Sequence, residues 1–261
     1  MPRTSRLVCA LGAGALAVVG GAAFGRLAQR FPADSVAALV WGALGIALVL
    51  ALAACAGALL SPSPLLDRLG LRAGHLRATT LALLILGMLA LSHALDGILS
   101  LSGLREQSGL VDFGDRLQGA SGGNLALALL GLAVGPGIAE ELFCRGFLQR
   151  GLRERWSPAA AIAISALVFG ALHVEPVHAF FATVLGLYLG AAAQWADSTR
   201  AAILCHVCNN LASVALMAAQ GRGEAVSTLS VPLALALCGA CIWRVRRDVA
   251  AIRRTAGALP A

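Results

Sequence analysis

Long apolar runs constrain this chain more than any other feature. Eight of them, near residues 7–25, 36–60, 79–101, 124–149, 158–176, 178–196, 201–219 and 227–243, are each roughly long enough to cross about 30 Å of hydrocarbon. The balance of residue types agrees, since 59% of the 261 residues are hydrophobic and only 13% are charged. Soluble domains carry about 25% charged residues. The expected fold is all-α: a polytopic transmembrane helical bundle of about eight spans, in an integral, multi-pass membrane protein.

The arginines orient that bundle. All 20 basic residues are arginine and the net charge is +7. With eight spans and both termini cytoplasmic, fourteen arginines fall on the inside and five on the outside, with Arg145 left within a span. That is the bias expected of cytoplasmic loops, so the positive charge calls for no nucleic-acid partner. Arg3 and Arg6 before the first run resemble a signal peptide, but the run is longer than a usual signal core, and an uncleaved first span is expected. The seven cysteines lie in apolar stretches and read as small packing residues rather than a disulfide framework. The CxxC spacings at Cys205/Cys208 and Cys238/Cys241 carry the same reading. The outer loop from Ser102 to Gly123 and the inner loop from Ser61 to Ala78 are expected as surface segments or connectors, the former partly amphipathic. Three regions follow: 1–123 with three spans and the outer loop, a core at 124–219, and 220–261 with the last span and a basic cytoplasmic tail.

Within the apolar runs a few polar side chains stand out. A charge at bilayer depth costs at least about 2.5–3.5 kcal/mol, yet the fourth run carries Glu140, Glu141 and Arg145. On a helix Glu141 and Arg145 are four apart and can pair in the favoured acid-first order. Glu140 is turned about 100° away and has no partner of its own in the segment. Glu141 therefore reads as structural and Glu140 as reactive. The fifth run carries His173 with Phe169 one turn earlier, and the seventh carries His206, Asn209 and Asn210. At about 1.5 Å per residue these groups reach a similar depth once the helices tilt modestly. Gly135-Pro136-Gly137 precedes the acidic pair and is expected to kink or restart the helix. His93, Asp96 and His178 fall near the outer interface, where a structural or solvated role is expected.

An acid, two imidazoles and an amide at one depth form a hydrolytic set. A carboxylate and a histidine can hold and deprotonate water, while a second imidazole and an amide can donate to the oxyanion. The same side chains, Glu140, His173 and His206, also have the ligand types of a zinc site, although no HExxH helix occurs. A non-catalytic immunity or scaffold protein and a proton-coupled transporter are alternatives, the latter disfavoured by the lack of an inverted repeat. Interhelical hydrogen bonds alone average well below 2 kcal/mol, a small return for burying two glutamates and two histidines.

Three motifs in order carry a resemblance. Glu140-Glu141-Leu142-Phe143-Cys144-Arg145 fits EExxxR, Phe169-Gly170-Ala171-Leu172-His173 fits FxxxH, and His206-Val207-Cys208-Asn209-Asn210 fits HxxxN. Over about Leu125 to Ala215 the chain resembles the CPBP family of intramembrane proteases, which includes CAAX prenyl endopeptidases and bacteriocin-processing or immunity proteins. The resemblance implies an intramembrane endopeptidase acting on a membrane-anchored protein or peptide, in a bacterial cytoplasmic membrane. By position, Glu140 and His173 would activate water and His206 with Asn210 would form the oxyanion hole. Glu141, Arg145 and Phe169 would support the site. An oxyanion role leaves His206 unavailable as a ligand, so no metal cofactor is expected, with zinc the alternative.

Overall fold

Capping residues and prolines decide where the helices begin. In the computed structural model, which describes residues 19–220 and 228–257, the chain is helical throughout its long segments and contains no strand among the described residues. α1 covers residues 19–28, and the rest of the first apolar run lies outside the described residues. α2 (Val36–Leu59) opens on Ser35, whose side chain accepts from Ala38 N at 3.1 Å. α3 (Ala78–Leu101) follows a single helical turn, Leu65–Arg68. α4 (Leu110–Leu117) lies in the outer loop and leads to the 31-residue α5 (Gly122–Leu152). α6 (Pro158–Ala171) and α7 (Pro176–Ala196) each start with proline at the first helical position, behind the capping side chains of Ser157 and Glu175. α8 (Thr199–Gln220) and α9 (Ser230–Gly257) complete the order.

Five of these helices, α2, α3, α5, α7 and α8, have the length and hydropathy to cross a membrane. The chain is thus an integral membrane protein with an all-helical fold. Two expected spans look different in the structure. α6 is apolar but has only 14 residues, about 21 Å at 1.5 Å per residue, because the helix stops at Ala171 and Glu175-Pro176 starts the next. α9 does not end near 243. It carries the basic tail onward to Gly257 as one helix.

Packing sets α5 at the centre. It lies between α2 and α8, α6 runs along α7, and α9 runs along α3. The largest buried cluster joins α3 (Leu84, Met88), α5 (Cys144), α6 (Phe169), α7 (Leu189, Ala192) and α8 (Ala202, Cys205). The described cysteines, 55, 144, 205, 208, 238 and 241, are all free thiols.

Both long loops are docked on protein. In α4, Leu117 is fully buried and Phe113 packs with Val40, Leu132 and Val214, so its apolar face covers the bundle rather than lipid. In the inner loop Leu69 is 1% exposed, Thr199 N donates to Gly70 O at 2.9 Å and Ser198 Oγ to Arg72 O at 2.8 Å. Gly70 sits at φ 64°, a conformation that a residue with a side chain adopts only with strain. Two polar pairs sit at the same end of the bundle, Asp67 with Arg72 and Asp248 with Arg244 and Thr80. The hydrogen bonds from Arg72 and from Arg244 hold the two carboxyls below their ordinary range.

Candidate active site

Two π-helical turns bracket the acidic pair in α5, at Leu129–Val134 and Leu142–Gln149. The first has a plain cause. Pro136 offers no N–H to the carbonyl of Leu132, and in a regular turn its ring would press on that carbonyl. Widening the turn relieves the clash, so Gly135-Pro136-Gly137 neither breaks nor restarts the helix. Such turns are rare and frequently lie at functional sites. Gly137 serves a second purpose, because a Cβ there would stand 2.9 Å from Val207 Cγ2 and 3.3 Å from the Val207 backbone nitrogen. Its missing side chain lets α5 and α8 cross closely, beside Glu140 on one helix and His206 on the other.

Glu141 and Arg145 form a fully buried pair, with Arg145 Nη1 donating to Glu141 Oε1 at 2.8 Å and both side chains at 0% exposure. Arg145 is held at two further points. Its Nη2 donates to Gly186 O at 2.8 Å, and its guanidinium carbon lies 4.5 Å from the centre of the Phe169 ring. One helical turn on, Gln149 Nε2 donates to Gly190 O at 3.0 Å. Two glycines four apart on α7 thus open its backbone to two polar side chains four apart on α5. Glu141 Oε2 and Arg145 Nε are buried with no hydrogen-bond partner among the described residues.

Glu141 does more than brace Arg145. Its Oε1 also accepts from His206 Nδ1 at 2.9 Å, across the α5–α8 crossing. The other side of that imidazole, Nε2, lies 3.9 Å from Glu140 Oε2. His206 therefore sits between the two carboxylates, and Glu141 holds both Arg145 and His206. Helix periodicity within α5 shows the Arg145 partnership, whereas the second partnership depends on a crossing that no single-helix pattern encodes.

Phe169 is the hub of the remaining contacts. Its ring meets those of His173 at 5.0 Å and His206 at 5.5 Å, besides the face of Arg145. His173 Nδ1 donates to Phe169 O at 2.8 Å. A carbonyl only accepts, so the neutral ring carries its proton on Nδ1 and leaves the Nε2 lone pair free. Glu140 and His173 do not touch through a hydrogen bond or ion pair. Asn210 follows His206 by one turn of α8. Its Oδ1 is 3.5 Å from Asn209 Nδ2, and Asn210 Nδ2 has no partner among the described residues. Counted from the arginine-bearing helix ends at about 1.5 Å per residue, Glu141, Gly186 and His206 all lie roughly 10–17 Å into the bundle.

One residue expected at the outer interface belongs to this neighbourhood. His178, in the first turn of α7, packs edge-on against His173 with ring centres 4.5 Å apart. His93 and Asp96 stay apart from the site, on Ser230 Oγ at 3.1 Å and on Arg105 at 2.8 Å. As for a metal, no three His, Cys, Asp or Glu side chains come together as a ligand set among the described residues. Glu140 Oε2 and His206 Nε2 approach to 3.9 Å, and the Nδ1–H of His206 is donated to Glu141.

Residues 122–212, which run from the start of α5 into α8, match the model of one protein family, described as type II CAAX prenyl endopeptidase Rce1-like. This stretch is similar to that family. The match is consistent with a CPBP-family protease and covers about a third of the chain, including all three motifs. No curated protein and no solved structure matches the chain. The family so described is one of endopeptidases, which are hydrolases.

Proposed function

We propose that the protein is an intramembrane endopeptidase that hydrolyses a peptide bond near the membrane-anchored end of a protein or peptide. The observation that carries this reading is His206 held between two carboxylates, Nδ1 on Glu141 and Nε2 facing Glu140. A group fixed this way at bilayer depth has an orientation suited to chemistry and more polar partners than packing requires.

In the proposed reaction a water molecule sits against Glu140 and the free Nε2 of His173. It loses its proton to them as its oxygen attacks the scissile carbonyl. The carbonyl oxygen becomes the oxyanion and is met by Nε2–H of His206 and Nδ2–H of Asn210. Because the Nδ1 proton of His206 is engaged by Glu141, Nε2 carries a hydrogen only in the doubly protonated ring, and that cation lies between Glu140 and Glu141. Collapse of the tetrahedral intermediate breaks the C–N bond, and the proton taken from water passes to the leaving amine. No step of the proposed reaction uses a metal. A bacterial cytoplasmic membrane is the proposed location.

The test is cleavage of a quenched fluorogenic peptide ending in a farnesylated Cys-aliphatic-aliphatic-X sequence, by purified protein in liposomes. Quantitative proteomics of membranes from cells carrying wild type or Glu140→Ala accompanies it, looking for C-terminal fragments that disappear. Glu140→Ala and His173→Ala should each abolish turnover while insertion and folding persist, and chelators should leave wild-type turnover unchanged. Undiminished proteolysis by Glu140→Ala would sink the mechanism, and chelator-sensitive turnover restored by zinc would replace it with a metal-dependent one.

A further inference from the structure

The turn between α6 and α7 is strained where it has no evident packing reason to be. Val174 adopts φ 59°, a left-handed conformation that is a genuine outlier for a β-branched residue and costs on the order of 1–3 kcal/mol. Its side chain is 87% exposed, so no burial of Val174 itself offsets that cost. The turn is instead held from both sides. Glu175 N donates to His173 O at 2.6 Å, and the Glu175 carboxylate accepts from Val177 N at 3.0 Å and His178 N at 2.8 Å. This geometry folds the first turn of α7 back over the end of α6. Its result is the His173–His178 contact, an edge-on pair at an interplanar angle of 65°.

We infer that His178 is a positioning residue for His173, clamping the imidazole between its own ring and that of Phe169. His173 is then fixed at three points: Phe169 O on Nδ1, the Phe169 ring at 5.0 Å and the His178 ring at 4.5 Å. The contacts leave one functional atom uncommitted, Nε2. A base that follows the last turn of a 14-residue helix, at the start of a short connection, is otherwise free to swing about χ1 and χ2 and to lose its bond to Phe169 O. The strained turn therefore holds the second imidazole in place to lock the first. The catalytic consequence rests on the proposed role of His173, whereas the locking itself does not.

Two measurements on the full-length protein separate those parts. The first is 15N-histidine NMR in detergent micelles, with the His173 signals assigned by loss in His173→Asn. Wild type should show His173 as a single Nδ1–H tautomer. His178→Ala should move both ring nitrogens towards averaged shifts, and His178→Phe, which keeps an aromatic edge contact, should restore the wild-type pattern. His173 nitrogens unchanged in His178→Ala would overturn the inference. The second is turnover of the farnesylated fluorogenic peptide. His178→Ala should lower kcat roughly tenfold to a hundredfold, the scale of a misplaced catalytic group, with KM within about twofold, and His178→Phe should recover most of it. A wild-type kcat in His178→Ala, or a Phe variant no better than Ala, would also count against it. If His178→Ala does not fold, the comparison of His178→Phe with His178→Leu decides, since only the aromatic ring should preserve the tautomer and kcat. A wild type that shows the locked tautomer but cleaves nothing leaves the clamp standing and removes the endopeptidase reading instead.

Discussion

Arg145 and Glu141 show how one side chain serves both stability and chemistry. Removing one partner of a buried ion pair costs about 3–5 kcal/mol, because the other charge is stranded, while replacing both by neutral groups is often close to neutral. Arg145→Met and Glu141→Gln should therefore each lower the melting temperature in detergent markedly, and the double variant should recover much of the loss. Activity should not recover with it, because a glutamine would put a neutral amide where the Glu141 carboxylate now meets His206 Nδ1 at 2.9 Å. A double variant that regained wild-type turnover would show that the charge of Glu141 on His206 is dispensable. Arg145→Lys should behave as a loss rather than a conservative change, since one ammonium cannot reach Glu141, Gly186 O and the Phe169 face together.

At the scale of elements, close helix crossings decide whether the motifs meet. Gly137 faces Val207 at a distance where a Cβ would crowd backbone as well as side chain, so bulk there should pry α5 from α8. Gly137→Ala should slow peptide turnover only modestly, because Val207 can give by a few tenths of an ångström. Gly137→Val should cost roughly a hundredfold by displacing His206 from Glu140 and Glu141, with secondary structure intact by circular dichroism. Equal activity in both variants would show that the crossing does not set the site. This is also where sequence reading ran out. The Glu141–Arg145 pair was legible because both residues lie on one helix four apart. The His206–Glu141 bond was not, because it joins helices 65 residues apart in sequence. His178 was hidden for a related reason: Glu175-Pro176 interrupts the periodicity, and only the left-handed Val174 turns the chain back on itself. The length of α6 was overestimated because the apolar pattern runs on past Ala171 while the backbone does not.

Across the whole molecule, the described helices alternate between two ends. At one end Arg68 Nη1 donates to Phe147 O at 3.4 Å, Arg150 and Arg153 face Asp197 at 3.5 and 3.8 Å, and Thr80 meets Asp248 at 3.0 Å. At the other, Gly119 N donates to Ala218 O at 2.9 Å, Arg116 to Ala33 O at 2.8 Å, and His93 meets Ser230. This sorting makes the segments around residues 61–77, 150–157, 197–200 and 244–257 one face, and they are the arginine-rich ones. Relative sidedness is thus fixed by contacts, and the arginine bias predicts that the arginine-rich face is cytoplasmic. On α9 Trp243 is 58% exposed, with Arg247 over its ring at 4.8 Å. A green fluorescent protein fused at the C-terminus should fluoresce, and alkaline phosphatase fused after Ala120 should be active. The reverse pair of results would invert the molecule. Its site would then be counted from the outer surface, and the arginine-rich face, which lies roughly 10–17 Å from Glu141 and His206 at 1.5 Å per residue, could not be the side from which substrate ends arrive from the cytoplasm.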